Sequence, residues 1–368
     1  MNWNKRILSV ASHFDLGGEP VGVRELTEGN INMTYRVEVD GAPDASHYVL
    51  QRLNTAAFRN PTALMENVGM VTEHICRSYE AEGIDPARRV LHFIKADNGT
   101  WLYTDSYGGC WRAYRYVSDV TAYDSIESAE LFREAGRGFG EFQNRLSDFP
   151  AEKLSEIIPG FHHTPRRYEA FLASIKRDAA GRVAYLAPEI EFFHARKDKM
   201  SCIVDKLGGE IPLRVTHNDT KLNNVLIDNA TGKALCVIDL DTVMPGSSLY
   251  DYGDAIRFGA CTAAEDEPDL DKIGLDMELF RAFTEGFVGA AGKNLTPAEI
   301  RRLPLGVAVI TCELAMRFLT DYIDGDVYFK TKYPEHNLVR ARAQMKLLTE
   351  IESKMDEMYA FVEGLLEQ

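Results

Sequence analysis

The chain has 368 residues, 45% hydrophobic and 26% charged, which suits one large folded domain or two ordinary ones. Its formal net charge of −15 argues against a nucleic-acid partner, because binding phosphate backbones draws on concentrated Lys and Arg, and makes a neutral small-molecule acceptor the easier fit. Six scattered cysteines with no C-x-x-C pair, and no secretory signal pattern, lead us to expect a reducing, cytoplasmic setting; no stretch approaches the ~20 apolar residues of a membrane span.

Ile7, Val10, Ala11 and Phe14 recur at helical spacing and predict an N-terminal helix. Residues 21–26, 32–39 and 47–53 read as short strands, the first two joined by the turn-like Thr27-Glu28-Gly29-Asn30. A helix fits residues 62–78, where Leu64, Val68, Val71 and Ile75 share one face. Residues 89–95 and 101–104 flank Asn98-Gly99, a hairpin signal, and 110–117 reads as the last strand. From about residue 127 the pattern turns helical, with helices expected over 165–176, 189–207, 277–288, 297–322 and 336–365. Within that helical part lies one further hairpin, 225–228 with 234–239. The expected fold class is α+β, with a small antiparallel-sheet lobe over 1–118 and a large, mainly helical lobe over 119–368.

The most informative segment is His217-Asn218-Asp219-Thr220-Lys221-Leu222-Asn223-Asn224, followed by the strand that ends at Asp239. Phosphoryl transfer needs a carboxylate to orient an attacking hydroxyl and take its proton, and oxygen ligands to hold Mg²⁺ on ATP phosphates. Asp219 fits the base, and Asn224 and Asp239 fit the metal ligands. An Asp, an Asn five residues on and a later Asp repeat the spacing of the protein-kinase catalytic loop and metal site. Each residue alone has a plainer reading, since Asp and Asn favour turns. Asp239 is the hardest to read that way, because it ends an apolar strand where a carboxylate is costly unless paired or metal-bound. Gly29-Asn30-Ile31-Asn32 is a glycine turn able to lay backbone N–H groups over phosphates, or simply a hairpin turn.

Taken end to end, the chain resembles the aminoglycoside phosphotransferase and choline kinase superfamily, which implies a bilobal, protein-kinase-like fold with ATP as co-substrate. Longer runs resemble the N-acetylhexosamine 1-kinases within it: residues 213–224, Ile238-Asp239-Leu240-Asp241-Thr242, Ala315-Met316-Arg317-Phe318-Leu319, and 331–340. That resemblance implies transfer from ATP, with Mg²⁺, to the anomeric hydroxyl of N-acetylglucosamine or N-acetylgalactosamine. It places Arg317 and Tyr328 in the sugar pocket and leaves Asp241 to orient either the metal site or the sugar. Nucleotide contacts are expected at Gly29, Asn32 and Gln51, and adenine against Tyr116 and Val117. Two positions depart from the pattern. Related kinases carry a phosphate-binding Lys on the third strand, where this chain has Gln51 with Arg52 beside it, and Asn30 stands where the resembling sugar kinases have a histidine. Rival readings are a kinase for choline, homoserine or a methylthio-sugar, and a nucleotide-binding pseudokinase.

Overall fold

Residues 3–26, 31–42 and 47–367 are described by a computed structural model of the protein. Cα packing divides the chain into two compact units. The first comprises Met1–Thr121, Lys153–Ile158 and Leu226–Met244; the second comprises Ala122–Glu152, Pro159–Val225 and Pro245–Gln368.

In the first unit, α1 (Trp3–Ala11) precedes β1 (Glu19–Leu26), β2 (Met33–Asp40) and β3 (His47–Arg52). Then come α2 (Pro61–Ala81), the two-residue strands β4 (Phe93–Ile94) and β5 (Tyr103–Thr104), β6 (Cys110–Arg115) and β7 (Val120–Thr121). The main sheet runs β1-β2-β3-β6-β4, with β5 also on β6. Alternation along the strands sends Tyr35, Val37, Tyr48, Leu50, Trp111 and Ala113 to one face, where they bury Ile7, Val10 and Ala11 of α1. Full burial of each large side chain of this kind is worth about 1.5–3 kcal/mol. The opposite face carries Thr34, Gln51, Arg112 and Tyr114 and meets α2 through Met65.

The Asn98-Gly99 expectation needs correcting. Gly99 takes φ 79° and the turn closes through Ala96 N–H to Thr100 C=O at 2.7 Å, but β4 and β5 pair with β6 and not with each other. The long neighbouring strand offers both segments a better ladder than two residues offer each other.

The second unit is helical: α3 (Ala129–Arg145), α4 (Thr164–Arg177) and α5 (Ala187–His194) precede β8 (Arg214–Thr216). The hairpin β9 (Val225–Asp228) and β10 (Ala234–Val237) returns to the first unit, where β9 pairs with β7. After β11 (Met244–Gly246) come α6 (Ser248–Gly259), α7 (Met277–Ala291), α8 (Pro297–Ile300), α9 (Leu303–Asp324), α10 (His336–Ser353) and α11 (Met355–Leu366).

Three expected helices are shorter or split. The one over 189–207 stops at His194 and gives way to short 3₁₀ turns. The one over 297–322 breaks before Leu303-Pro304, because Pro has no N–H to continue a helix and suits a first turn. The one over 336–365 breaks at Lys354, whose ammonium donates to Leu275 C=O at 2.7 Å.

The expectation that no segment approaches membrane-spanning length is also corrected. α9 is long and apolar enough by composition, yet 72% of its most apolar window is buried. It packs against α4, α6 and α10, so it reads as a core helix. Its approach to α6 is set by two glycines: a Cβ on Gly253 would lie 2.5 Å from Gly306 C=O, and one on Gly306 would lie 2.3 Å from Leu249 C=O.

Candidate active site

In the helical unit, residues 217–224 form a braced loop. The His217 ring is fully buried, with the rings of Phe139 and Phe142 edge-on at 5.6 and 5.9 Å. Asp251, on α6, accepts the backbone N–H of His217 at 2.8 Å and of Asn218 at 2.7 Å, and the side chain of Gln143 at 2.9 Å. Thr220 donates its hydroxyl to the Asp251 C=O at 2.5 Å. Burial pushes the Asp251 carboxyl up, against the pull of His217 and the two main-chain N–H groups. Asn218 sits at φ 64°, a left-handed conformation that Asn tolerates better than most residues.

Asp219 emerges from this loop half-buried, with Lys221 Nζ 2.7 Å from its Oδ1. Burial works against the Lys221 charge, but Asp219 and Asp254 raise its pKa overall. Asn224 donates to the Asp219 C=O at 2.8 Å and reaches its Oδ2 at 3.3 Å. Asn223 donates instead to Asp124 at 3.1 Å. The two asparagines are therefore told apart by geometry as well as by spacing.

Arg317, on α9, lies within 5.3 Å of the Phe161 ring, 5.8 Å of Tyr328 and 5.6 Å of Phe329. The Glu313 carboxylate one turn earlier is held by His162 at 2.9 Å and Thr164 at 2.7 Å, so it touches Arg317 through its field alone. Arg167 donates to Phe161 C=O at 2.9 Å, and burial together with the Arg317 charge lowers its pKa. Tyr328 is 68% exposed, and its backbone N–H bonds to Asp321 at 2.8 Å.

The first unit gathers another set. Asp239 adopts φ 59°, ψ 56° at the end of the β9–β10 hairpin and opens a 3₁₀ turn over 240–242. Non-glycine residues held in that region store strain and cluster at functional sites. Asp241 is buried, its Oδ1 2.5 Å from Arg112 Nη1 in an ion contact without hydrogen-bond alignment, and its Oδ2 accepts from Asn32 at 2.7 Å. Gln51 accepts from Arg112 Nε at 2.9 Å and Nη2 at 2.8 Å, and donates to Thr34 Oγ1 at 3.1 Å. Burial, with Asp239 and Asp241 adding to it against the pull of Arg112, pushes the Tyr114 hydroxyl up. Asn67 of α2 donates to Val243 C=O at 2.9 Å and so ties this turn to the helix. Tyr116 donates its N–H to His47 C=O at 3.2 Å and carries Arg36 over its ring, while Val117 is buried. Gly29 and Asn30 lie outside the described residues.

Asn224 and Asp239 offer hard oxygen donors, the ligand type Mg²⁺ takes, and the Asn224 amide is turned with its N–H toward Asp219. Among the described residues no group of three or more His, Cys, Asp and Glu forms a metal cage. Mg²⁺ does not require one, since it commonly keeps waters and substrate phosphates.

Residues 22–277 match the family described as APH, the phosphotransferase enzyme family. The chain belongs to that family. Among solved structures, this phosphotransferase is similar to a microcompartment-associated aminopropanol kinase at 17% identity and TM-score 0.65, over 96% of this chain and 98% of that one. It is similar to spectinomycin phosphotransferase in complex with ADP and spectinomycin, at 12% identity and TM-score 0.58, again over 96% and 98%. A Plasmodium vivax ethanolamine kinase follows at 14% identity and TM-score 0.53, over 88% of this chain and 82% of that one. At these identities the likeness shows the fold: a kinase-like fold with an antiparallel-sheet N-terminal region and a mainly helical C-terminal region.

Two residues of this phosphotransferase's site escape a reading of the sequence. On the helix after β11, Asp254 pairs with Arg257 at 2.8 Å and reaches the loop through the Lys221 charge, while Asp251 supplies the hydrogen bonds to the loop backbone. The signal for Asp251 is an acid between Tyr250 and Tyr252 on a buried stretch. The signal for Arg112 is a charge beside Trp111 in a strand of bulky residues with little charge.

Proposed function

We propose that this phosphotransferase moves the γ-phosphate of ATP onto the anomeric hydroxyl of an N-acetylhexosamine, N-acetylglucosamine or N-acetylgalactosamine, giving the sugar 1-phosphate. The observation that carries the acceptor class is Arg317 among the rings of Phe161, Tyr328 and Phe329. Aromatic faces suit the C–H face of a sugar, and a guanidinium offers fixed donors to hydroxyls or an amide carbonyl. The same guanidinium, with Arg167 near it, disfavours a cationic acceptor such as choline, ethanolamine or an aminopropanol.

Asp219 is the base that orients the anomeric hydroxyl and accepts its proton; that hydroxyl is more acidic than a primary one, so an aspartate suffices. Asn224 and Asp239 hold Mg²⁺, which when bound neutralises charge on the ATP phosphates. Arg317 and Tyr328 hold the ring so that one oxygen faces the γ-phosphate. Asn32, Gln51, Tyr116 and Val117 serve the nucleotide, and Asp241 supports that site through Arg112 and Asn32.

The test is acceptor-dependent consumption of ATP with Mg²⁺, using N-acetylglucosamine, N-acetylgalactosamine, choline, ethanolamine and 1-amino-2-propanol in separate reactions. Phosphorus NMR of the product should show coupling to the anomeric proton. Coupling to C6 methylene protons, or turnover with the amino alcohols alone, would overturn the acceptor assignment.

A further inference from the structure

The third strand lacks the lysine that related kinases use on ATP phosphates, and the structure shows where a positive charge sits instead. Gln51 on β3 and Arg112 on β6 are directly opposite in the sheet register. Arg52 points to the other face, beside Trp111, where a Cβ on Gly109 would come within 2.9 Å of its Nε. It therefore cannot serve the face that holds Gln51, Asp239 and Asp241.

Arg112 is 3% exposed, an expensive place for a charge unless it is paired. Its guanidinium spends Nε and Nη2 on the Gln51 oxygen and Nη1 on Asp241. With two N–H donors on that oxygen, the Gln51 amide cannot flip, because a flip would set NH₂ against guanidinium. One amide hydrogen goes to Thr34, and among the described residues none takes the second.

We propose that Arg112 takes over the task of the absent lysine: it locks Gln51 so that its amide donates to an ATP phosphate, and it supplies the positive field from one strand away. Arg112 is thus a positioning residue acting through Gln51, and the pairing with Asp241 keeps its charge tolerable inside the unit. This rests on the ATP-dependent transfer proposed above.

The experiment compares binding of Mg²⁺–ATP and of adenosine by calorimetry on the full chain, for wild type, Arg112→Met, Gln51→Ala, Gln51→Lys and the double variant Gln51→Lys/Arg112→Met. Arg112→Met and Gln51→Ala should each weaken Mg²⁺–ATP by about tenfold or more, the scale of a lost charge-assisted hydrogen bond, with adenosine within about twofold of wild type. Gln51→Lys alone should also lose affinity, since it sets an ammonium against Arg112. The double variant should recover most of it, because the lysine then takes Asp241 as its partner. A merely structural Arg112 would lower the melting temperature without moving the ratio of ATP to adenosine affinity.

If Arg112→Met fails to fold, Gln51→Ala decides, since it leaves the Arg112–Asp241 pair in place. Wild-type-like Mg²⁺–ATP affinity in Gln51→Ala, or a double variant no better than Arg112→Met, overturns the inference while the kinase reading stands. A wild type that binds no Mg²⁺–ATP overturns that reading itself and the inference with it.

Discussion

The carboxylate of Asp251 accepts the backbone N–H of Asn218 at 2.7 Å, so an α6 side chain holds a left-handed residue directly before the proposed base. Its second oxygen takes the His217 N–H and the Gln143 amide, which leaves the loop few ways to relax. Replacing Asp251 with Ala should therefore reduce turnover by about 10²-fold, because misplacing a reacting group by even about 1 Å is that costly. A variant with wild-type kcat and a lowered melting temperature would confine Asp251 to stability.

Asp219→Asn should cut turnover by about 10²-fold or more while leaving Mg²⁺–ATP affinity near normal, the pattern of a lost general base. Steady-state kinetics and calorimetry on the same preparation check it. Comparable turnover in the variant would remove Asp219 from the mechanism.

Asn224→Ala and Asp239→Ala should damage use of Mg²⁺–ATP more than acceptor binding. Titrating Mg²⁺ and Mn²⁺ against rate should show a raised metal requirement in both. Normal nucleotide affinity with no change in metal dependence would refute their assignment.

Arg317→Ala should raise KM for the sugar far more than KM for ATP, since its neighbours are the aromatic rings of Phe161, Tyr328 and Phe329. Parallel rises in both constants would count against a sugar role.

Glu313 gives a pH prediction. Burial alone would raise its pKa, but His162, Arg317 and Thr164 outweigh that and hold it below the ordinary 4.5. A depressed folded-state pKa stabilises the protein above the ordinary value, and that stability is lost as pH falls through the depressed one. Melting temperatures taken from pH 6 downward should fall more steeply below about 4.5 for wild type than for Glu313→Gln. Identical slopes would show that the His162–Glu313 pair contributes nothing to acid lability.

Periodicity and turn chemistry made β1 to β3, α2, the β9–β10 hairpin and much of the helical region legible, because those elements follow from which residues must share a face. The closeness of Asp219 and Asn224 was legible for a similar reason: a five-residue loop has few ways to keep two such side chains apart. Local signals failed wherever a distant partner decided the outcome. β4 and β5 chose β6 over each other, and the helix after Ala187 ended where Arg196 turns to meet Glu352 at 2.6 Å.

What the sequence by itself determined was the fold class, the position of the candidate catalytic loop and the absence of a third-strand lysine. Only the tertiary structure decided which of Gln51 and Arg52 faces Asp241, that Arg112 supplies the charge there, and that Asp251 accepts the loop's backbone N–H groups. The physical reason is range. Helical and strand patterns act over a few residues of chain, whereas a buried charge is settled by whichever partner the packing brings within about 3 Å of it.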